Sequence, residues 1–230
     1  MRYRFVDCRW SIEDPEAGRR SYLAGHVPGA AFLDIERDLS APPGAGGRHP
    51  LPAEAEFVAA ASSAGIERGT FVVAYGSPGA ERLWWLLRHF GHDDCAVIDL
   101  DAWHGSLAAG DEAAEPARFE PNARADDTIG REELAARLGE LVVVDARLPA
   151  RWRGERNPID RVPGRVPGAL NAPWSEPLPE LPPGELVAYC GSGITACVTL
   201  HRLQLTGRSG RLYPGSWSEW EQHPELPMEP

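Results

Sequence analysis

The sequence contains no lysine: all 23 of its basic residues are arginine. It also lacks an apolar run of about 18 residues, the length that a membrane-spanning helix needs. Its four cysteines form no Cys-x-x-Cys pair and no paired spacing, which disfavours a zinc site or a disulfide framework. Residues 1–7 predict a strand instead of a secretory leader. We therefore expect no membrane partner, no metal and no other cofactor, and a location in the reducing cytoplasm.

The charge balance of the chain is acidic. A formal net charge of −11 disfavours nucleic acid or an anionic membrane surface as a partner. The 230 residues, of which 43% are hydrophobic, suffice for one large domain or for two of about 110 residues each.

An internal repeat favours two domains. The pattern Val-Asp-x-Arg at 6–9 recurs at 144–147, and Gly-x-Val-Pro-Gly at 25–29 recurs at 164–168. Between the copies lies a polar, acidic stretch with few aliphatic residues, as is typical of a linker. We predict an N-terminal domain at 1–107, a linker at 108–127 and a C-terminal domain at 128–230.

Short apolar runs rich in β-branched residues alternate with helical patterns in each copy. Such alternation predicts the α/β class, with a parallel sheet flanked by helices in each domain. In sheets of this kind the ligand binds beyond the carboxyl ends of the strands. We therefore expect the functional residues to follow the buried strands.

Residues 186–205 combine a buried strand, a glycine-containing turn and a helix. We expect the helix to begin with Thr195 as its N-cap. Gly191 and Gly193 lack the Cβ atoms that would keep successive backbone N–H groups from converging, and a helix N-terminus adds its positive dipole. Cys190 opens this turn, so its thiolate would be stabilised and would act as a nucleophile.

The turn has three other interpretations. Cys190 could be a buried structural cysteine beside an ordinary strand-to-helix turn. Residues 191–196 also fit the dinucleotide pattern G-x-G-x-x-A, but no carboxylate follows at the end of the next strand, as that fold requires. A cysteine phosphatase needs an arginine six residues after the cysteine, to hold an oxyanion, and position 196 is alanine.

The segment Cys-Gly-Ser-Gly-Ile-Thr-Ala at 190–196 resembles the active loop of the rhodanese sulfurtransferases, in particular the mercaptopyruvate type. The resemblance covers nearly the whole chain and implies two tandem rhodanese-like domains. It implies that Cys190 carries sulfur as a persulfide, with Ser192 as a proton donor or relay. The first copy has Gly76 in place of the cysteine, so one active site per chain is expected. The residues expected to form the active loop around the cysteine are Gly191, Gly193, Ile194, Thr195 and Ala196.

The resemblance also indicates residues for binding the substrate. Arg151 matches the arginine that holds the substrate carboxylate, and Arg161 is the nearest candidate for a second one. In the first copy, Arg48 and His49 lie in a loop that would line the site, and Glu36 stands where an aspartate is usual. A solvated basic stretch at 147–165 and a solvated connector at 39–52 remain the alternatives.

The expected partners are a small anionic sulfur donor and a thiol, thioredoxin-like or cyanide acceptor. Thiosulfate enzymes of this family usually carry basic residues at the two positions after the cysteine. Gly191 and Ser192 are uncharged, which favours 3-mercaptopyruvate as the donor. Thiosulfate:cyanide sulfur transfer and a non-catalytic binding module are the alternative functions.

Overall fold

The computed structural model describes residues 2–230. They divide into two units, each with its own four-stranded sheet. The first unit comprises the residues up to Ala41 together with Leu51–Arg124, and the second comprises Pro42–Pro50 together with Ala125–Pro230. Along the sequence, the loop at 42–50 lies within the first copy of the repeat. In the structure it belongs to the second unit.

The first unit has a fully parallel sheet in the order β2-β1-β3-β4. Its central strand β3 is buried at five of six positions, because neighbouring strands and helices cover it. The strands are β1 (Arg2–Asp7), β2 (Ala31–Phe32), β3 (Thr70–Tyr75) and β4 (Cys95–Ile98), and the helices are α1 (Ala17–Ala24), α2 (Glu54–Ser63) and α3 (Gly79–His89), with a 3₁₀ turn at Leu100–Ala102.

The second unit repeats this topology, with the parallel order β6-β5-β7-β8. All four residues of its central strand β7 are buried. The strands are β5 (Val142–Asp145), β6 (Leu170–Asn171), β7 (Leu186–Tyr189) and β8 (Arg211–Leu212), and the helices are α4 (Arg131–Ala136), α5 (Pro149–Trp152), α6 (Thr195–Leu205) and α7 (Ser216–Trp220). The predicted α/β class with parallel sheets is confirmed.

The repeat extends to side-chain hydrogen bonds. In the second unit Arg147 donates to both oxygens of Asp145 and to the carbonyl of Gly164 at 2.8 Å. In the first unit Arg9 donates in the same way to Asp7 and to the carbonyl of Gly25 at 2.7 Å. The repeated Val-Asp-x-Arg motif therefore ties the end of a central strand to the Gly-x-Val-Pro-Gly turn in each unit.

Two expectations from the sequence need restating. Helix α6 begins at Thr195, its N-cap is Ile194, and no side chain caps it, so the predicted Thr195 cap is wrong. Most of the predicted linker lies against the first unit: Ala117 N donates to Ser62 O, and Phe119 is buried. The chain passes from the first unit to the second between Arg124 and Ala125.

Candidate active site

Cys190 lies at the carboxyl end of β7, where a parallel sheet places its ligands. The residue is buried, with 2% of its surface exposed. Its backbone is held by the start of α7: Cys190 N donates to Ser216 Oγ at 3.2 Å, and Trp217 N donates to Cys190 O at 3.0 Å. Ser216 adopts a left-handed φ of 52°, a strained conformation of the kind that concentrates at functional sites.

The sulfur of Cys190 accepts a hydrogen bond from the loop. Gly193 N donates to Cys190 Sγ at 3.1 Å, and α6 begins two residues later. A backbone amide and the positive end of an 11-residue helix both stabilise a negative charge on the sulfur. Ile194 and Ala196 are buried and Thr195 is half-buried, so these residues hold the turn in place.

Ser192 faces a histidine from a distant part of the chain. Its Oγ lies 2.7 Å from His49 Nδ1, and both side chains are buried. Either group can be the donor, depending on the imidazole tautomer. A hydrogen-bonded hydroxyl and imidazole therefore lie two residues from Cys190 along the chain.

The loop at 42–50 is docked onto α7. Arg48 N donates to Ser218 Oγ at 3.0 Å, and Gly44 and Gly47 exchange two backbone hydrogen bonds of 3.0 Å that close the turn before it. Gly47 has a φ of 100°, and a Cβ there would lie 2.7 Å from Ser218 Oγ. Only glycine permits this close approach, so Gly47 fixes where Arg48 and His49 lie.

Two guanidinium groups converge on Gly191. A Cβ atom at this residue would lie 2.6 Å from Arg151 Nη2 and 2.7 Å from Arg48 Nη2. Burial, and then the charge of Arg151, lower the pKa of the Arg48 guanidinium, which remains protonated. Asp160 and Glu221 act on the Arg48 pKa in the opposite direction. The residue after Cys190 is thus covered by two cations.

Asp160 holds Arg151 in place. Arg151 donates through Nε at 2.8 Å and through Nη2 at 2.5 Å, which is a bidentate pair. The buried Arg147 also reaches Asp160, at 3.4 Å, and Asn157 Nδ2 donates to it at 3.1 Å. Burial alone would raise the pKa of Asp160, but the hydrogen bonds and charge of Arg151 and the charge of Arg147 lower it below the ordinary value.

Comparison with known proteins identifies the family. Residues 130–223 match the model of the rhodanese-like domain. The chain is 42% identical to a probable 3-mercaptopyruvate sulfurtransferase of Pseudomonas aeruginosa, over 97% of this chain and 90% of the relative. The chain belongs to the rhodanese family of sulfurtransferases.

Solved rhodanese structures share the fold. The 3-mercaptopyruvate sulfurtransferase of Leishmania major superposes with a TM-score of 0.82 at 26% identity, over 97% of this chain and 72% of the other. A probable thiosulfate sulfurtransferase gives a TM-score of 0.69 at 26% identity, over 98% and 96%. The predicted family, the tandem rhodanese fold and the enzyme class are therefore confirmed, and the activity requires a sulfur donor and an acceptor.

The sequence indicates two further residues for this rhodanese site, Glu36 and Arg161. Glu36 belongs to the first unit, where it accepts a hydrogen bond from Trp10 Nε1 at 3.0 Å. Arg161 is exposed, and its side chain makes no hydrogen bond or ion pair within residues 2–230. The structure thus brings together Cys190, Ser192, His49, Arg48 and Arg151.

Sequence reasoning missed Asp160 and Ser218. Asp160 is one of two carboxylates in an otherwise arginine-rich stretch at 147–165, a signal that could have indicated an ion-pair partner. Ser218 gave no such signal, because its role depends on contact with a loop about 170 residues earlier in the chain.

The first rhodanese unit has no room for a nucleophile at the matching place. A Cβ atom on Gly76 would lie 2.6 Å from the backbone nitrogen of Arg9.

No cluster of three or more His, Cys, Asp or Glu side chains able to hold a metal occurs within residues 2–230. None of the helices in that range has the length and hydropathy of a membrane span.

Proposed function

We propose that this chain transfers the sulfur of 3-mercaptopyruvate to a thiol acceptor through a persulfide on Cys190. The observation that carries the proposal is the sulfur of Cys190 accepting the Gly193 amide beside the guanidinium of Arg151. The first group stabilises a thiolate, and the second attracts an anionic donor to the same loop.

In the first half-reaction the Cys190 thiolate attacks the thiol sulfur of the donor. An S–S bond forms while the carbon–sulfur bond breaks, and the electron pair leaves as the enolate of pyruvate. A proton then goes to the enolate carbon and gives pyruvate. The Gly193 amide and the start of α6 stabilise the negative charge that the persulfide retains.

Ser192 and His49 supply that proton path. Their 2.7 Å contact lets the serine hydroxyl pass the donor's thiol proton toward the leaving enolate, with the imidazole as its partner. Both side chains are buried, so the transfer proceeds without bulk water.

In the second half-reaction a thiolate attacks the outer sulfur of the persulfide. The acceptor leaves with that sulfur, and the Cys190 thiolate is restored. A small thiol, a thioredoxin-like protein or cyanide can act in this way, since each is a nucleophile for sulfur. A thiol acceptor fits a reducing cytoplasm, which we propose as the location.

Thiosulfate is the second candidate donor. It is favoured by the likeness to a probable thiosulfate sulfurtransferase, and its sulfonate could also meet the cations at Gly191. The doubly charged thiosulfate ion is, however, expected to need basic residues in the loop itself. Gly191 and Ser192 provide none, so 3-mercaptopyruvate remains the proposed donor.

Steady-state kinetics with both donors and one thiol acceptor test the proposal. We expect kcat/KM for 3-mercaptopyruvate to exceed that for thiosulfate by at least about tenfold. Cys190→Ser should abolish turnover of both donors, while Cys197→Ser serves as the matched control in the same helix–loop segment. A parent preference for thiosulfate, or a fully active Cys190→Ser variant, would contradict it.

A further inference from the structure

The groups around Gly191 include hydrogen-bond donors that the protein does not use. Arg151 gives its Nε and Nη2 to Asp160, and its Nη1 makes no hydrogen bond within residues 2–230. Arg48 gives Nη1 to the carbonyl of Ile159 at 3.1 Å, and within the same range its Nη2 makes none. Both unused groups belong to guanidinium ions that meet beside the catalytic cysteine.

We infer that Arg48, and not Arg161, supplies the second guanidinium that binds the carboxylate of the sulfur donor, together with Arg151. The inference rests on the proposed function and assigns the residue that makes the site selective for a carboxylate-bearing donor. The unused Arg48 Nη2 and Arg151 Nη1 lie 2.7 and 3.3 Å from the position that a Cβ on Gly191 would take. This convergence matches the two oxygens of one carboxylate.

The carboxylates already present do not satisfy Arg48. Asp160 and Glu221 lie 3.9 Å from its nitrogens, which is too far for a hydrogen bond. Asp160 is committed to Arg151 and Arg147, and Glu221 accepts the backbone amide of Val162 at 2.9 Å. An incoming anion therefore finds an unused donor at Arg48.

Bringing two like charges together is unfavourable unless an anion joins them. Arg48 and Arg151 carry like charges beside the same residue, and partial burial of Arg48 strengthens their repulsion. A bound carboxylate removes the repulsion and accepts hydrogen bonds from both groups. The pair is therefore arranged for the complex with the donor.

Beyond the chain neighbours, the three heavy atoms nearest to a Cβ at Gly191 belong to Arg151 and Arg48, and none belongs to Arg161. Its side chain is exposed, whereas Arg48 retains 28% side-chain exposure and has its backbone amide fixed by Ser218. The second arginine of this site thus comes from the loop at 42–50 and not from the arginine-rich stretch at 147–165.

The test compares two donors that differ by the carboxylate alone. 3-Mercaptopyruvate carries thiol, ketone and carboxylate, and mercaptoacetone carries the same thiol and ketone without the carboxylate. We expect Arg48→Ala to raise KM for 3-mercaptopyruvate by about 10- to 100-fold, as for a lost hydrogen bond between charged groups, with kcat changed less than about threefold. The kcat/KM ratio of the two donors should fall by the same factor.

Arg161→Ala is the matched control and should keep both KM and the ratio within about twofold of the parent. An unchanged KM in Arg48→Ala, or the loss appearing in Arg161→Ala, would overturn the inference. So would an equal loss for both donors, because it indicates a structural role. If the parent itself forms no persulfide from 3-mercaptopyruvate, the proposed function fails instead, so the two failures are distinguishable.

Discussion

At the scale of single residues, Gly191 decides how close two cations come to the nucleophile. Any side chain there would meet Arg48 and Arg151 at less than 3 Å. The close approach of the two cations therefore depends on the absence of a side chain at residue 191. Asp160 completes the arrangement, since its side chain is 1% exposed and binds arginines on two sides.

Replacing Asp160 with asparagine should lower stability in a pH-dependent way. Its pKa is lowered in the folded protein, so the ionised form favours folding. This contribution is complete above the unfolded-state pKa of about 3.9 and is lost as the pH falls through the lower folded value. At pH 7 we expect Asp160→Asn to cost about 3 kcal/mol, as for a broken buried ion pair.

Urea unfolding of the parent and Asp160→Asn at several pH values measures this difference. The gap between the two should stay constant above about pH 5 and should narrow below about pH 4. A gap that widens toward acid pH would show that Asp160 is protonated in the folded protein.

The local pattern of residues indicated one part of the site, whereas Arg48, His49 and Arg151 were indicated only by the resemblance to a known family. Cys190, Gly191 and Ser192 were accessible to sequence reasoning because strand, turn and helix follow one another within a few residues. The prediction that Thr195 is the N-cap was wrong: Thr195 is the first residue of the helix, and Ile194 occupies the N-cap position. The convergence of Arg48 and Arg151 on Gly191 could not be foreseen, since it joins residues more than 100 positions apart.

At the scale of elements, the loop at 42–50 is what completes the site. It carries both Arg48 and His49, and its position depends on contacts with α7. Helix α7 also holds the backbone of Cys190 and Gly191. Helix α7 thus positions Cys190 relative to the loop that carries Arg48 and His49.

Gly47→Ala should undock this loop, and Gly44→Ala should not. A Cβ at Gly47 would lie 2.8 Å from Gly215 O as well as 2.7 Å from Ser218 Oγ, whereas a Cβ at Gly44 meets no atom within 4 Å. We expect kcat/KM for 3-mercaptopyruvate to fall at least about 100-fold in Gly47→Ala, because Arg48 and His49 move together. Gly44→Ala should stay within about threefold of the parent, and equal effects of the two changes would refute the docking role.

The sheets themselves followed from the sequence more fully than this loop did. The alternation of short apolar runs with helical patterns predicted parallel strands, because the sequences of buried parallel strands are continuously apolar. The loop at 42–50 has no such periodicity, and its membership of the second unit is set by tertiary contacts.

At the scale of the whole molecule, two units with one topology have different chemistry. The first lacks space for a nucleophile at Gly76, and its own thiols are poorly suited to the task. Burial raises the pKa of Cys8 well above the usual range and that of Cys95 to about 12. Cys197 is fully buried and donates to the carbonyl of Gly193 at 3.3 Å. We therefore expect the donor to add one sulfur atom per chain, on Cys190.

The most direct test of this account is peptide mass spectrometry after incubation with excess 3-mercaptopyruvate and no acceptor. We predict one added sulfur of about 32 Da per chain, confined to the peptide that contains Cys190, with one pyruvate released per chain. An adduct on the peptides of Cys8, Cys95 or Cys197, or a chain that stays unmodified while pyruvate is released, would contradict it.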